Sequence, residues 1–203
     1  MSKIRAIIFD FDETLYNGEP FDKWGDFVMN AIKEIIPDDN RRMKFIDKYP
    51  QVLGNISSSR LAELFKIELG SVDTYVQYEK DHIYALRVDM ITAISNDYLK
   101  ELAQKFPLVI VSNSSYEHIS FYLKEFGISE DNFTAIYQNE FEELGKGKYY
   151  LEVKNKFNCN SDEILVLGDN FESDILPAIN LGMCGYQVKT LDELKKIIET
   201  KIY

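Results

Sequence analysis

The sequence predicts an α/β fold, a parallel, doubly wound sheet with an all-helical domain inserted near its start. Three observations carry this. Short, mostly apolar stretches recur at residues 4–9, 108–111 and 164–167, as strands covered on both faces do. Between them lie segments with apolar residues at spacings of three and four, so strands alternate with helices and the crossovers are right-handed. Each of the three strands runs directly into polar residues: Asp10 and Asp12, Ser112 and Asn113, Asp169. In an open sheet of this kind, ligands bind outside the carboxyl ends of the strands. Three separate strands thus deliver polar groups to one edge.

In chain order, residues 4–9 form the first strand, and residues 13–20, with Asn17-Gly18 and Pro20, a turn-rich passage. Phe21, Trp24, Phe27, Val28, Ala31, Ile32 and Ile35 then mark a helix that Pro37 stops. A weaker helix follows at 43–49, and Pro50 and Gly54 mark a loop. Ser57–Ser59 cap a helix carrying Leu61, Leu64, Phe65 and Leu69, closed by Gly70. Ser71 opens another, with Val72, Tyr75, Val76, Ile83 and Leu86 on one side. Residues 17–92 are therefore expected to be a separate helical domain without strands, leaving 1–16 and 93–203 as the α/β core.

The core pattern resumes at Ser95, a cap for a helix with Tyr98, Leu99, Leu102 and Phe106. After the strand at 108–111, Ser114 with Glu117 reads as a capping box opening a helix that ends at Gly127. Residues 133–137 form the third strand, 141–147 a loop, and Tyr150, Val153 and Phe157 a helix. The strand at 164–167 is followed by a helix with Ile175, Ala178, Ile179 and Leu181, in which Pro177 fits only within the first turn. A fifth strand at 184–188 and a helix capped by Thr190 and Glu193 complete the chain.

Composition narrows the function. A net charge of −11 and a pI near 4.7 argue against nucleic acid, which needs a basic surface. They leave room for a phosphorylated small molecule, since a divalent cation inverts the local field. Cys159 and Cys184 have no metal or redox spacing and read as small buried hydrophobes. No leader and no apolar run of membrane-spanning length is present, so a soluble, cytoplasmic protein without a membrane partner is expected. The chain carries no signal for an oligomeric state. His82 and His118 fall on helices without an acid or nucleophile nearby in sequence and read as structural or surface residues. Phe21, Trp24 and Phe27 read as helical-domain core.

Two carboxylates set two apart beyond a strand suit phosphoryl chemistry. Asp10 is the candidate nucleophile, able to form an aspartyl-phosphate. Asp12 is the candidate acid/base, protonating the leaving oxygen and then deprotonating water. Asp10, Asp12 and Asp169 form the expected Mg²⁺ site, with Asp174 a further ligand, a supporting acid or simply a helix cap. Asn170 is either part of the site or a turn residue. Ser112 and Asn113, near a helix start, are candidates for holding phosphate oxygens. Lys146 or Lys148 would complete charge neutralisation.

The ordered set Asp10-x-Asp12-x-Thr14, Ser112, Lys146 and Gly168-Asp169-Asn170-Phe171-Glu172-Ser173-Asp174 resembles the motifs of the haloacid dehalogenase-like (HAD) hydrolase superfamily over almost the whole chain. The resemblance implies a Rossmann-like core with a helical type 1 cap between the first and second motifs. It implies Asp10 as nucleophile, Asp12 as general acid/base and Ser112 as the hydroxyl residue of the second motif. Lys146 matches the family lysine best, although the proline expected after it is absent and Lys148 stays a rival. A second acid at position 12 favours phosphate-ester chemistry over dehalogenation. The expected function is a Mg²⁺-dependent phosphatase acting on a small phosphorylated metabolite. A phosphomutase and a non-catalytic phospholigand-binding module are the alternatives.

Overall fold

The computed structural model describes residues 3–18, 24–54, 56, 58–82, 91–138 and 145–202. Phe21, Ser57, Ile83, Leu86, loop residues 141–144 and the Trp24 and Ser59 side chains, all named above, lie outside this description. The chain divides into two compact units, one of residues 1–18 and 92–203, the other of residues 19–91.

The first unit holds a five-stranded sheet built from β1 (Ala6–Phe9), β4 (Leu108–Ser112), β5 (Ala135–Gln138), β6 (Ile164–Gly168) and β7 (Cys184–Gln187). Its order is β5-β4-β1-β6-β7, and every pair is parallel. The three central strands are buried along their whole length, which is why they read as unbroken apolar runs rather than as alternating ones. On one face Ala6, Ile8, Val109, Val111, Ile164 and Val166 pack with Tyr150 and Val153 of α7 (Gly147–Lys156) and Ala178 of α8 (Leu176–Asn180). The alternate residues Ile7, Phe9, Ile110, Leu165 and Leu167, also fully buried, face the other way because successive strand side chains alternate. The remaining core helices are α5 (Asn96–Ala103), α6 (Tyr116–Glu125) and α9 (Leu191–Ile202). The chain passes from β1 through β4 to the edge at β5 and then crosses back to β6 on the other side of β1. The strand order therefore reverses about β1, and a crevice opens at the carboxyl end of that strand.

Three local expectations are corrected. α6 is capped by Ser115, whose side chain accepts from His118 N, and not by Ser114, which is turned elsewhere. The segment before α8 is a π-type turn, Phe171–Ile175, capped by Asn170. It leaves Pro177 at the start of α8, where its missing N–H is harmless. The inserted segment was expected to be free of strands, yet a two-stranded ribbon of β2 (Tyr16–Gly18) and β3 (Ile91–Ala93) marks its two ends. Ile94 N, donating to Leu15 O at 2.9 Å, extends that pairing.

The second unit contains α1 (Trp24–Ile35), α2 (Asp39–Lys48), a 3₁₀ turn at Pro50–Leu53, α3 (Ser58–Leu69) and α4 (Asp73–His82). Asp38 caps α2, accepting from Arg41 N at 2.8 Å. Stacked Phe45, Phe65 and Tyr75, with ring centroids 5.4 Å apart in each pair, join three of its helices. Phe27 packs edge-on to Tyr78 as part of this unit's core. No described helix is long and apolar enough to cross a membrane.

Candidate active site

Asp10 is the first residue beyond β1, and its N–H still donates to Leu167 O at 2.8 Å, extending the ladder. Asp10 is 7% exposed, and the strand carries it to the edge of the crevice. Oδ1 accepts from Lys146 Nζ at 2.6 Å and Oδ2 lies 3.4 Å from Thr14 Oγ1. Lys146, at the start of α7, is 2% exposed and also donates to Asp174 Oδ1 at 2.7 Å. A buried ammonium is costly unless it is paired, and here two carboxylates pair it. Burial disfavours its charge, but Asp10 and Asp174 outweigh this and hold its proton more tightly than usual. Lys148 instead places Nζ over the Tyr149 ring at 4.5 Å, so Lys146 is the lysine that reaches Asp10.

Asp174 is fully buried, and the helix-cap role open to it belongs to Asn170 instead. Asn170 accepts from Glu172 N and Ser173 N, while the Asp174 carboxylate receives Ser173 Oγ at 2.8 Å and Asn170 N at 3.0 Å. Tyr150 OH donates to the Asp174 carbonyl at 3.1 Å. This packing leaves no space at Gly168, where a Cβ would lie 2.7 Å from Asp174 Cγ and closer still to its Cβ. Gly168→Ala is therefore expected to lower stability by about 1–3 kcal/mol through overpacking, measured by denaturant titration. An unchanged midpoint would show that Asp174 can move aside.

Asp169 follows β6 and is half-buried. One carboxylate oxygen from each of Asp10, Asp169 and Asp174 lies within 4.8 Å of the others. Asp12 was also expected at the metal site; its carboxylate lies outside this group of three, and its oxygens meet other donors. Oδ1 accepts from Tyr16 OH at 2.6 Å and from His118 Nε2 at 2.8 Å. Oδ2 accepts from Ser114 Oγ at 2.5 Å and lies 3.4 Å from Ser112 Oγ. Ser112 is thus buried between the end of β4 and Asp12, and its Oγ also accepts from Ser114 N at 3.0 Å. Asn113 follows it, half-buried. Glu13, with φ of 56°, turns the chain back after Asp12 so that Leu15 N reaches Phe11 O at 3.0 Å.

The two acids of the first motif therefore sit in opposite environments. Burial pushes the Asp10 carboxyl well above the usual range; Lys146 opposes this, and Asp174 and Asp12 add to it. Burial also acts against the charge on Asp12, but His118 outweighs it with help from Ser114 and Tyr16, and the carboxyl is held far below the usual range. Asp169 is raised by burial and by Asp174. The separation runs opposite to the expected roles: in the free site the candidate nucleophile Asp10 is the acid whose charge is disfavoured, and the candidate acid/base Asp12 is the one held ionised.

His118 was expected to be structural and turns out to touch Asp12. The usable signal was its position in the first turn of the helix that follows the second-motif strand, since helical side chains lean back toward the N-terminus. That direction points to the strand ends.

The chain matches the haloacid dehalogenase-like hydrolase family over residues 4–182. It belongs to that family. The resemblance read from the motifs of this HAD-like hydrolase thus holds, and so does its parallel core. It is 24% identical over 206 residues to 5-amino-6-(5-phospho-D-ribitylamino)uracil phosphatase YigB of Escherichia coli K12, covering 90% of this chain and 82% of that protein. Among solved structures, a HAD phosphatase from Thermococcus onnurineus superposes with a TM-score of 0.65 at 19% identity, covering 98% of this chain and 100% of the other. A HAD family enzyme from Bacteroides thetaiotaomicron, in complex with magnesium and inorganic phosphate, superposes with a TM-score of 0.55 at 17% identity, covering 94% and 98%. These structural likenesses carry the fold.

Proposed function

We propose that this HAD-like hydrolase is a Mg²⁺-dependent phosphatase that cleaves a small phosphorylated metabolite through a phosphoaspartate on Asp10. The observation that carries the proposal is the pair of acids, Asp10 held on Lys146 and Asp12 held apart from it by a separate ring of donors. The negative charge of a bound phosphate monoester would raise the Asp12 carboxyl so that it carries a proton. Asp10 Oδ then attacks phosphorus, the P–O ester bond breaks, and its electron pair leaves on the alcohol oxygen, which takes that proton from Asp12. Water then attacks the same phosphorus, Asp12 accepts a water proton, and the acyl-phosphate P–O bond breaks to return the Asp10 carboxylate. Lys146 neutralises the charge that gathers at Asp10. Ser112 and Asn113, at the end of β4, are proposed to meet the phosphoryl oxygens. The relatives named above, a phosphatase of a phosphoribityl compound and an enzyme holding magnesium and phosphate, support the substrate class.

The donor set fits Mg²⁺. Three carboxylates converge, two of them sharing the Lys146 ammonium, a surplus of negative charge with hard oxygen donors, which this ion prefers. Asp10 and Asp169 are proposed as its ligands, with Asp174 adjacent. When bound, the ion would screen the nucleophile from the anionic substrate. The unit at 19–91 is proposed to act as the cap that selects the substrate.

The test is phosphate release from a panel of phosphorylated metabolites and an aryl phosphate, with Mg²⁺ and with chelator. Release is expected with Mg²⁺ and a loss of at least about a hundredfold with chelator. Equal rates in both would remove the metal from the mechanism. A stabilised protein that binds Mg²⁺ and phosphate without turning over any substrate would reduce it to a binding module.

A further inference from the structure

We propose that His118 is a positioning residue for Asp12, which fixes the acid/base carboxyl in one orientation through its Nε2–H. The inference rests on the phosphatase function proposed above.

Asp12 lies on a turn beyond β1, where a short side chain would otherwise have its choice of rotamers. Tyr16 opens β2, only four residues along the same chain segment, Ser112 ends β4 and lies 3.4 Å away, and Ser114 sits in the loop after β4. Of the described groups touching Asp12, His118 alone belongs to a regular helix, and its own placement is secured from several sides. Its backbone N–H is capped by Ser115 Oγ at 3.2 Å. Its ring stands edge-on to Phe11 at 6.2 Å and packs on Tyr122 at 4.8 Å. Tyr122 in turn stacks on Tyr16 at 5.7 Å and touches Phe126 at 5.5 Å. An aromatic block built from the turn after β1 and from α6 thus fixes the imidazole, and the imidazole fixes the carboxylate at 2.8 Å. Constellations held this way are the ones whose geometry survives into the transition state.

A residue that only supports the fold and one that aims a general acid make different predictions. Proton donation matters most when the leaving oxygen is a poor leaving group, and kcat/KM reports the steps up to its departure. His118→Phe keeps the ring contacts with Phe11 and Tyr122 and removes the N–H. His118→Gln keeps a donor at nearly the same reach. The experiment measures kcat/KM of the intact protein with Mg²⁺ on glycerol phosphate and on para-nitrophenyl phosphate, together with melting temperatures.

His118→Phe is expected to lose at least about tenfold more activity on the alkyl than on the aryl substrate, with His118→Gln recovering most of the difference. Equal losses on both substrates, or a Gln variant no better than Phe at matched melting temperature, would overturn the positioning role. If His118→Phe is too unstable to assay, His118→Gln alone decides: near-native selectivity between the substrates supports the role, and an equal loss on both overturns it. Absence of turnover by the unmodified protein on either substrate would instead overturn the phosphatase function, and this inference with it.

Discussion

Asp10→Asn is expected to abolish phosphate release, by on the order of 10⁴-fold or more, while the protein folds as well as before or better. The two halves of this result have one cause. Asp10 is buried against Asp174 and Asp12, and burial pushes its carboxyl up despite Lys146. A group whose pKa is raised on folding costs stability once it ionises. Asn has the same shape and carries no charge, so it removes that cost along with the nucleophile. Lys146 keeps Asp174 as its partner at 2.7 Å. Steady-state phosphate release and thermal unfolding check the two halves together. Full activity in the variant would end the phosphoaspartate mechanism. Loss of activity with a large fall in melting temperature would show that the charge is needed for folding.

The opposite balance is expected at Lys146. Lys146→Met strands two buried carboxylates, Asp10 and Asp174, without their shared cation. Removing one partner of a buried pair costs about 3–5 kcal/mol, and in a chain of this size each kcal/mol lowers the melting temperature by about 2–4 °C. The deficit should shrink when Mg²⁺ is added, because the ion supplies positive charge to the same cluster. It should also shrink as pH falls toward the carboxylate range, since acids whose folded pKa is raised destabilise the protein only above their unfolded pKa. Melting curves at two pH values, with and without Mg²⁺, test this, and Lys148→Met serves as the comparison that should barely shift. A Lys146 variant melting within about 2 °C of the unmodified protein under all conditions would mean that the cluster relaxes by taking up protons or water.

Much of the core was legible because its strands are extreme cases. Residues 108–111 and 164–167 are covered on both faces, so their sequences are apolar without alternation, and the residues just past each strand must be polar if the crevice lies there. That logic located Asp10, Ser112 and Asp169. The features that escaped depend on contacts distant in sequence. His118 is 106 residues from Asp12, and its place in the first turn of α6 points toward the strand ends without saying which acid it meets there. The spacing of Asp12 from Asp10 does not show which donors its carboxylate meets; those are Tyr16, Ser114 and His118. β2 and β3 are three residues each, too short for a period of two to show, and Asn17-Gly18 reads as a turn. The π turn before α8 contains Asp174, which packs against Gly168, a contact that appears only in three dimensions.

The β2–β3 ribbon makes the 19–91 segment, in topological terms, one very long hairpin loop. Its two ends leave the core on neighbouring strands, spaced by about 5 Å as in any paired ladder. The entropy of closing such a loop grows only with the logarithm of its length, so residues can be added, removed or exchanged there at little expense to the sheet. In chain terms, the described hydrogen-bonded groups around Asp10 and Asp12 are all carried by residues that precede or follow the insert.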